Sequence, residues 1–472
     1  MKTHIALSAA FAFHFVAASL IAADGRWSSG EQPDGVPQAR IDAFKTNLEN
    51  DGFAVTQWGY GRVNIAALVC LGLMASGYGN NAGAPYLTYT YQEGGINVPK
   101  EFQLEPYDAV VLIGRTPPPV AYLSYQNYIR KHYYDETGSR ILVFTSHGDA
   151  MNINTLMRSG EIGTRPFEKD FVVITTGDGG IDARVRSAAT QAGIPHSILN
   201  TAVVPTSIVE MGVGPASDTF VFLHRLFMAE KGHEDELDEY LQDPGGVVFH
   251  LRPKTPPNRP DPFPMPDLRI RGTGKTEMDL MPALQALRRA ILEEYQDYRP
   301  TELTTKVWLT EGADGIQRRI NLLGETRDTS YLRSDYFTLS EDPNEFLIIY
   351  GVNHEAAGKA TYSNFSIYNK GRELGIAGDH SRNLAGSADD YDLGPYQDMA
   401  RFLYVGKAAR DCNGDPDCLP IKLPDELGAC PPVDLNTDLF VAFRAYMEPS
   451  TNVGPAWHEI LYDQVIKFSL KQ

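Results

Sequence analysis

Three short apolar runs in the first half of the chain end in residues able to do acid–base or metal chemistry. Tyr107–Ile113 runs into Gly114-Arg115-Thr116, Arg140–Thr145 into Ser146-His147-Gly148-Asp149, and Phe171–Thr176 into Gly177-Asp178-Gly179-Gly180-Ile181-Asp182. An imidazole beside two or three carboxylates can bind a divalent cation or pass a proton. His147 and Asp149 are therefore the expected catalytic pair, and Asp178 and Asp182 the expected ligands of a divalent metal. A fourth run, Phe346–Tyr350, leads into Gly351-Val352-Asn353-His354-Glu355 and offers His354 as a third catalytic group. The competing reading is plainer: such aspartates cap helices and bind turn amides, and a buried histidine is often only hydrogen-bonded.

The segments GDGGID and GVNHE are similar to the GDxxD and GNHE segments of the calcineurin-type metallophosphoesterases, where they supply metal ligands. Val352 separates Gly351 from Asn353, a long interval divides the two segments, and no GHxH follows. The pattern therefore implies no membership of that family. Other motifs lead less far. Arg271–Thr276 (RGTGKT) has Arg269 where a phosphate loop needs its first glycine. No GxSxG elbow occurs. The loop Asp411–Asp417 alternates oxygen ligands like a calcium loop, but Pro416 and Lys422 stand where the hand needs Gly and Glu. Tyr122, Tyr125, Tyr128 and Tyr133 can line a pocket for a planar or sugar ligand, or pack as core.

Positioning the first set of residues is a matter of fold. Near-continuous apolar runs alternating with helical stretches predict an α/β fold, a mainly parallel sheet with flanking helices. The expected helices are Gln38–Asn50, Val120–Tyr134, Ile181–Ala192 and Asp218–Leu241. Open parallel sheets place ligands at the carboxyl ends of their strands, which is where Arg115, His147, Asp149, Asp178 and Asp182 would meet. From Pro253 to Pro266, seven of fourteen residues are proline, a composition that excludes helix and central strand. The expected organisation is a signal peptide (1–23), an α/β domain (24–252), a proline-rich connector (253–266) and an α+β domain rich in short strands (267–472). A surface strap is the alternative reading of the prolines.

Charge and compartment bound the function. The chain has 472 residues and a formal net charge of −18, which argues against nucleic acid and against an anionic membrane surface. Lys2 and the apolar run Ile5–Ala23 read as a secretory signal, so the mature protein is expected to be secreted, with no membrane contact after cleavage. An oxidising route fits a Cys412–Cys418 disulfide closing DCNGDPDC, with Cys430 as an alternative partner, and the sequon Asn364-Phe365-Ser366 as a glycosylation site. The leading expectation is a secreted enzyme doing hydrolytic or proton-transfer chemistry on a small molecule, with metal assistance. The alternatives are a non-catalytic secreted ligand-binding or matrix protein, and a tailoring protein of a secretory biosynthetic pathway.

Overall fold

The computed structural model describes residues 35–161, 163–422 and 437–471; the expected signal peptide and Cys430 lie outside them. Strands account for 36 % of it and helices for 18 %, in mixed, curled and largely antiparallel sheets. The mainly parallel α/β expectation is thereby overturned. The largest sheet runs Ser139–Ser146, Val120–Tyr134, Thr219–Ala229, Tyr86–Glu93, Phe53–Val63, Val247–Pro253, Ala109–Arg115, Asp170–Thr176, Leu199–Val203. Among the described strands only Asp170–Thr176 with Leu199–Val203, and Leu403–Ala409 with Cys418–Pro420, pair in parallel.

The correction has a physical cause in two segments. Val120–Tyr134 and Thr219–Ala229, both expected to be helical, are adjacent antiparallel strands. Each is rich in aromatic and β-branched residues, which suit a pleated surface. Each is also buried on both faces, so neither shows the polar–apolar alternation that marks a strand. Leu123, Tyr125 and Ile129 face one core with Phe220 and Phe222, whereas Tyr122 and Tyr128 face the other way. The helical part of the second segment is confined to Glu234–Gln242.

One expected unit does form. Asp170–Thr176 leads through Asp178 into the helix Gly179–Gln191 and on to Leu199–Val203. That helix and Gln38–Asn50 cover one face of the sheet, burying Phe44, Leu48, Ile181 and Val185 against Val111, Val172 and Ile174. The helix Met281–Glu294, with Pro282 in its first turn, packs Leu284, Leu287 and Ile291 on the strand Phe346–Val352.

Two further five-stranded sheets follow. One runs Tyr298–Leu303, Gln464–Leu470, Phe346–Val352, Leu403–Ala409, Cys418–Pro420, and the other Lys306–Val307, Thr329–Arg333, Leu439–Tyr446, Tyr362–Asn369, Leu374–His380. They pack face to face through Leu347, Ile349, Phe365, Ile367, Val441 and Phe443. The outer face of the latter sheet meets the large sheet, where Tyr362 and Tyr446 touch Tyr122 and Phe227. The Cys412–Cys418 disulfide is present. Among the described residues no helix is long and apolar enough to cross a membrane.

Candidate functional site: a cavity lined by arginine and tyrosine

Strand register decides what fills the junction between the large sheet and its neighbour. Tyr128 lies opposite Val221, and Arg225 lies between Ser124 on one strand and Tyr86 on another. From the facing sheet, Tyr331 and Arg444 are cross-strand partners, with Tyr446 one pleat further on the same face. Residues 73–80 close the space from the side, their backbone tied to Arg372 and Glu373 by Gly77 N and Gly79 N at 2.7 and 2.8 Å. A cavity of about 440 Å³ remains, with half-exposed Tyr91 at its edge.

Three guanidinium groups line it, and among the described residues none is ion-paired with a carboxylate. Arg225 is 5 % exposed and donates to Tyr128 Oη and Gly324 O. Arg444 is 3 % exposed and donates from Nη2 to Gly79 O at 2.6 Å, but its Nη1 is buried without a partner. Arg130 is sandwiched on Tyr78 and Phe144 at 4.0 and 4.5 Å, and its Nη1 too is buried without a partner. Burial pulls the pKa of Arg225 and Arg444 down, but the surrounding tyrosines outweigh it, so both stay charged. Burial also raises Tyr128 and Tyr446 above their usual range and keeps them neutral.

The acids nearby do not compensate. Glu101 at the rim is engaged by Lys131 at 2.8 Å. Glu325 accepts from Ser146 N and Oγ at 2.8 and 2.6 Å, and burial raises its pKa toward the neutral acid. Cation–π contacts of about 0.5–2 kcal/mol each recover part of the desolvation of a buried cation, which runs to several kcal/mol. The rest is left for a ligand.

The residues expected from sequence are dispersed. His147 and Asp149 line a separate cavity of about 250 Å³. Burial pushes His147 down to about 4, so it is neutral at physiological pH. Asp149 is occupied by Arg327 Nε and Arg269 N, both at 2.7 Å. Asp178 caps its helix by accepting from Ile181 N at 2.9 Å and also holds Asp261 N at 2.7 Å. Asp182 is bonded to Arg186 Nε and Thr201 Oγ1, each at 2.7 Å. Both aspartates thus do the plainer work, and among the described residues no cluster of three or more His, Cys, Asp or Glu is arranged to hold a metal. Arg115 pairs with Asp170, at the opposite end of the strand from Asp178 and so about 20 Å away at 3.3 Å per residue. The antiparallel pairing is what separates them.

His354 sits in neither cavity. Its Nδ1 is 2.7 Å from Glu277 Oε1 and its Nε2 3.6 Å from Asp463 Oδ2. Burial lowers its pKa, but the two carboxylates dominate and raise it to about 10, so it is an imidazolium at neutral pH and no general base. In the RGTGKT loop, Thr273 N and Gly274 N donate to the Glu459 carboxylate, which occupies the place of an anion. Asn364, the expected glycosylation site, is 8 % exposed and its Nδ2 donates to Asn81 Oδ1 at 2.9 Å. A glycan on Nδ2 would have to displace that hydrogen bond.

Sequence reading passed over Arg130, Arg225 and Arg444. Their signal was a charge inside an otherwise apolar run, as in FVFLHRLF and LFVAFRAYM.

No protein-family profile and no curated protein matches the chain. Among solved structures, the VPA0106 protein from Vibrio parahaemolyticus is similar at 12 % identity over 92 % of this chain and 96 % of that one, with a TM-score of 0.39. The partial N-terminal region of an enterococcal surface protein follows at 10 % identity, 86 and 85 % coverage and a TM-score of 0.16. The N-terminal CBM22-1-CBM22-2 tandem domain of Xyn10C from Paenibacillus barcinonensis gives 9 %, 89 and 94 %, and 0.15. Similarity this remote carries no argument about fold or function.

Proposed function

We propose that the chain is a ligand-binding protein of the secretory route whose cavity takes a small organic anion, an apolar or aromatic body bearing a carboxylate, sulfonate or phosphate. The observation that carries this reading is the pair of buried, unpartnered guanidinium nitrogens on Arg130 and Arg444. Buried polar groups are nearly always paired, and a buried donor of a cation most wants an anionic acceptor. The tyrosine and leucine walls suit an apolar body. The hydrolytic reading needs His147, Asp149 and His354 in one cleft; His147 and Asp149 share one, but His354 lies outside it.

The test is calorimetric titration with 2-naphthoate and with its neutral counterpart 2-naphthylmethanol. Naphthoate is expected to bind 1:1, and Arg444→Met to weaken it by roughly ten- to hundredfold, the size of a lost charge-assisted bond of about 1.5–3 kcal/mol. Equal affinity for the alcohol, or naphthoate binding indifferent to Arg444→Met, overturns the reading.

A further inference from the structure

The proline-rich segment closes the second cavity, and the way it is fastened says what the cavity is for. Asp261 O accepts from Gly179 N and Asp261 N donates to Asp178 Oδ2, both at 2.7 Å, while Phe263 N donates to Gly177 O at 3.0 Å. Farther along, Arg269 is held through its N by Asp149 and through its O by Arg327 Nη2 at 2.6 Å. The prolines between these fastenings restrict φ, so the strap is stiff without strand partners. Pro266 and Arg269 form one wall of the space, and Tyr125, Asn127 and His147 form the other.

Four residues of that lining carry a buried polar atom without a hydrogen-bond partner: His147, Asn127, Tyr125 at its hydroxyl and Arg269 at Nη1. His147 is 8 % exposed with Nε2 buried and unbonded, and Asn127 is 2 % exposed with Oδ1 buried and unbonded, its Nδ2 donating to Thr175 Oγ1 at 2.8 Å. The local charge is balanced within the protein: Asp149 is bonded by Arg327 Nε and Arg269 N, and Arg269 Nη1, which lacks a hydrogen-bond partner, lies 3.6 Å from Asp149 Oδ2, so unlike the guanidinium groups of the first cavity it has a carboxylate beside it. With Arg269 already beside Asp149, the site suits a neutral ligand that donates to Asn127 Oδ1 and satisfies His147 Nε2 and Arg269 Nη1. A hydroxyl does both, since it donates and accepts. At about 250 Å³ the space lies just below the usual range for small-molecule sites, about 300–1,000 Å³, and suits one six-membered ring. The Tyr125 side chain supplies an apolar wall for its C–H face.

We propose that this strap-closed cavity is a second ligand site, independent of the first, which takes a small neutral polyhydroxylated molecule of about one sugar ring. Asp149 is then a positioning residue that fastens the strap.

The experiment follows the His147 ring nitrogens by long-range proton–nitrogen NMR while D-glucose, D-galactose, D-mannose and myo-inositol are titrated into the full chain. At least one is expected to move Nε2 saturably, and Asn127→Ala to weaken that binding about tenfold, the upper range for one neutral hydrogen bond. Asp149→Asn is expected to weaken it too, with Nε2 still responding at saturation. Naphthoate binding by each variant reports that it is folded and that the first cavity is intact. The proposal is overturned if none of the four moves Nε2, in which case the cavity holds water alone, or if Asn127→Ala and His147→Gln bind as the unaltered chain does.

Discussion

Two regions bury positive charge, and they handle it in opposite ways. Around His354 and Lys359 every cation has carboxylates within ion-pair distance, even though His354 Nε2 and Glu448 Oε2 lack a hydrogen bond. Lys359 Nζ lies 2.6 Å from Glu448 and 2.7 Å from Glu459, and His354 lies between Glu277 and Asp463. In the first cavity three guanidinium groups are surrounded by tyrosines and backbone carbonyls, with two nitrogens left over. A cluster whose cations are neutralised within it fixes the fold, because it has no positive charge left to offer a third party. A cluster left open is an invitation to a ligand. Perturbed titration alone does not separate the two, since His354 and the arginines Arg225 and Arg444 of the first cavity are all shifted upward.

The largest effect that can break this comparison comes from removing one member of each cluster. His354→Ala strands Glu277 and Asp463 in the interior and is expected to cost about 3–5 kcal/mol in urea unfolding. Arg444→Met keeps most of the packing and removes an incompletely satisfied cation, so it is expected to stay within about 1 kcal/mol of the unaltered chain. Equal costs would mean that Arg444 is as structural as His354, and the distinction between closed and open clusters would fall.

Somewhat smaller is the stabilisation that a ligand confers. At a naphthoate concentration of about 100 times Kd, unfolding is expected to become about 2.7 kcal/mol harder. Thermal melting should show this for the unaltered chain and lose it at the same concentration for Arg444→Met. A variant at Lys359, if it remains folded, should keep it. A shift that survives Arg444→Met would place the anion elsewhere.

The same contrast governs what sequence reading reaches. The unit from Phe171 to Val203 was legible because local signals agree: a buried run, a capping Asp178, and Gly193 at a positive φ ending the helix. The strap was legible from its prolines. Val120–Tyr134 was not, because a strand covered on both faces loses its period and its tyrosines at 122, 125 and 128 imitate a helical stripe. That one misreading turned antiparallel pairing into a parallel sheet and gathered Arg115, His147 and Asp178 at an edge that does not exist. The open cluster was harder still. Arg130, Arg225 and Arg444 come from three strands, and only the pairing of Arg444 with Tyr331 and of Arg225 with Tyr86 brings them to one space.

The effect that is smallest per step, and the one that sharpens the comparison most finely, is in pH. His354 has its pKa raised to about 10, so its contribution to stability is full below its unfolded value of about 6.5 and is lost as pH rises from there toward 10. His147, lowered to about 4 by burial without a countercharge, has the opposite sign. The unfolded chain binds the extra proton between about 6.5 and 4, so stability is lost as pH falls through that window. Each slope is expected to approach about 1.4 kcal/mol per pH unit inside its window. Urea unfolding of the unaltered chain, His354→Gln and His147→Gln from pH 4.5 to 9 separates them, since the first variant should flatten the alkaline limb and the second the acid limb. If His147→Gln left the acid limb unchanged, His147 would have to be partnered or solvated in the native state. The free Nε2 on which the second site depends would then be lost, while the arginine-lined cavity would stand.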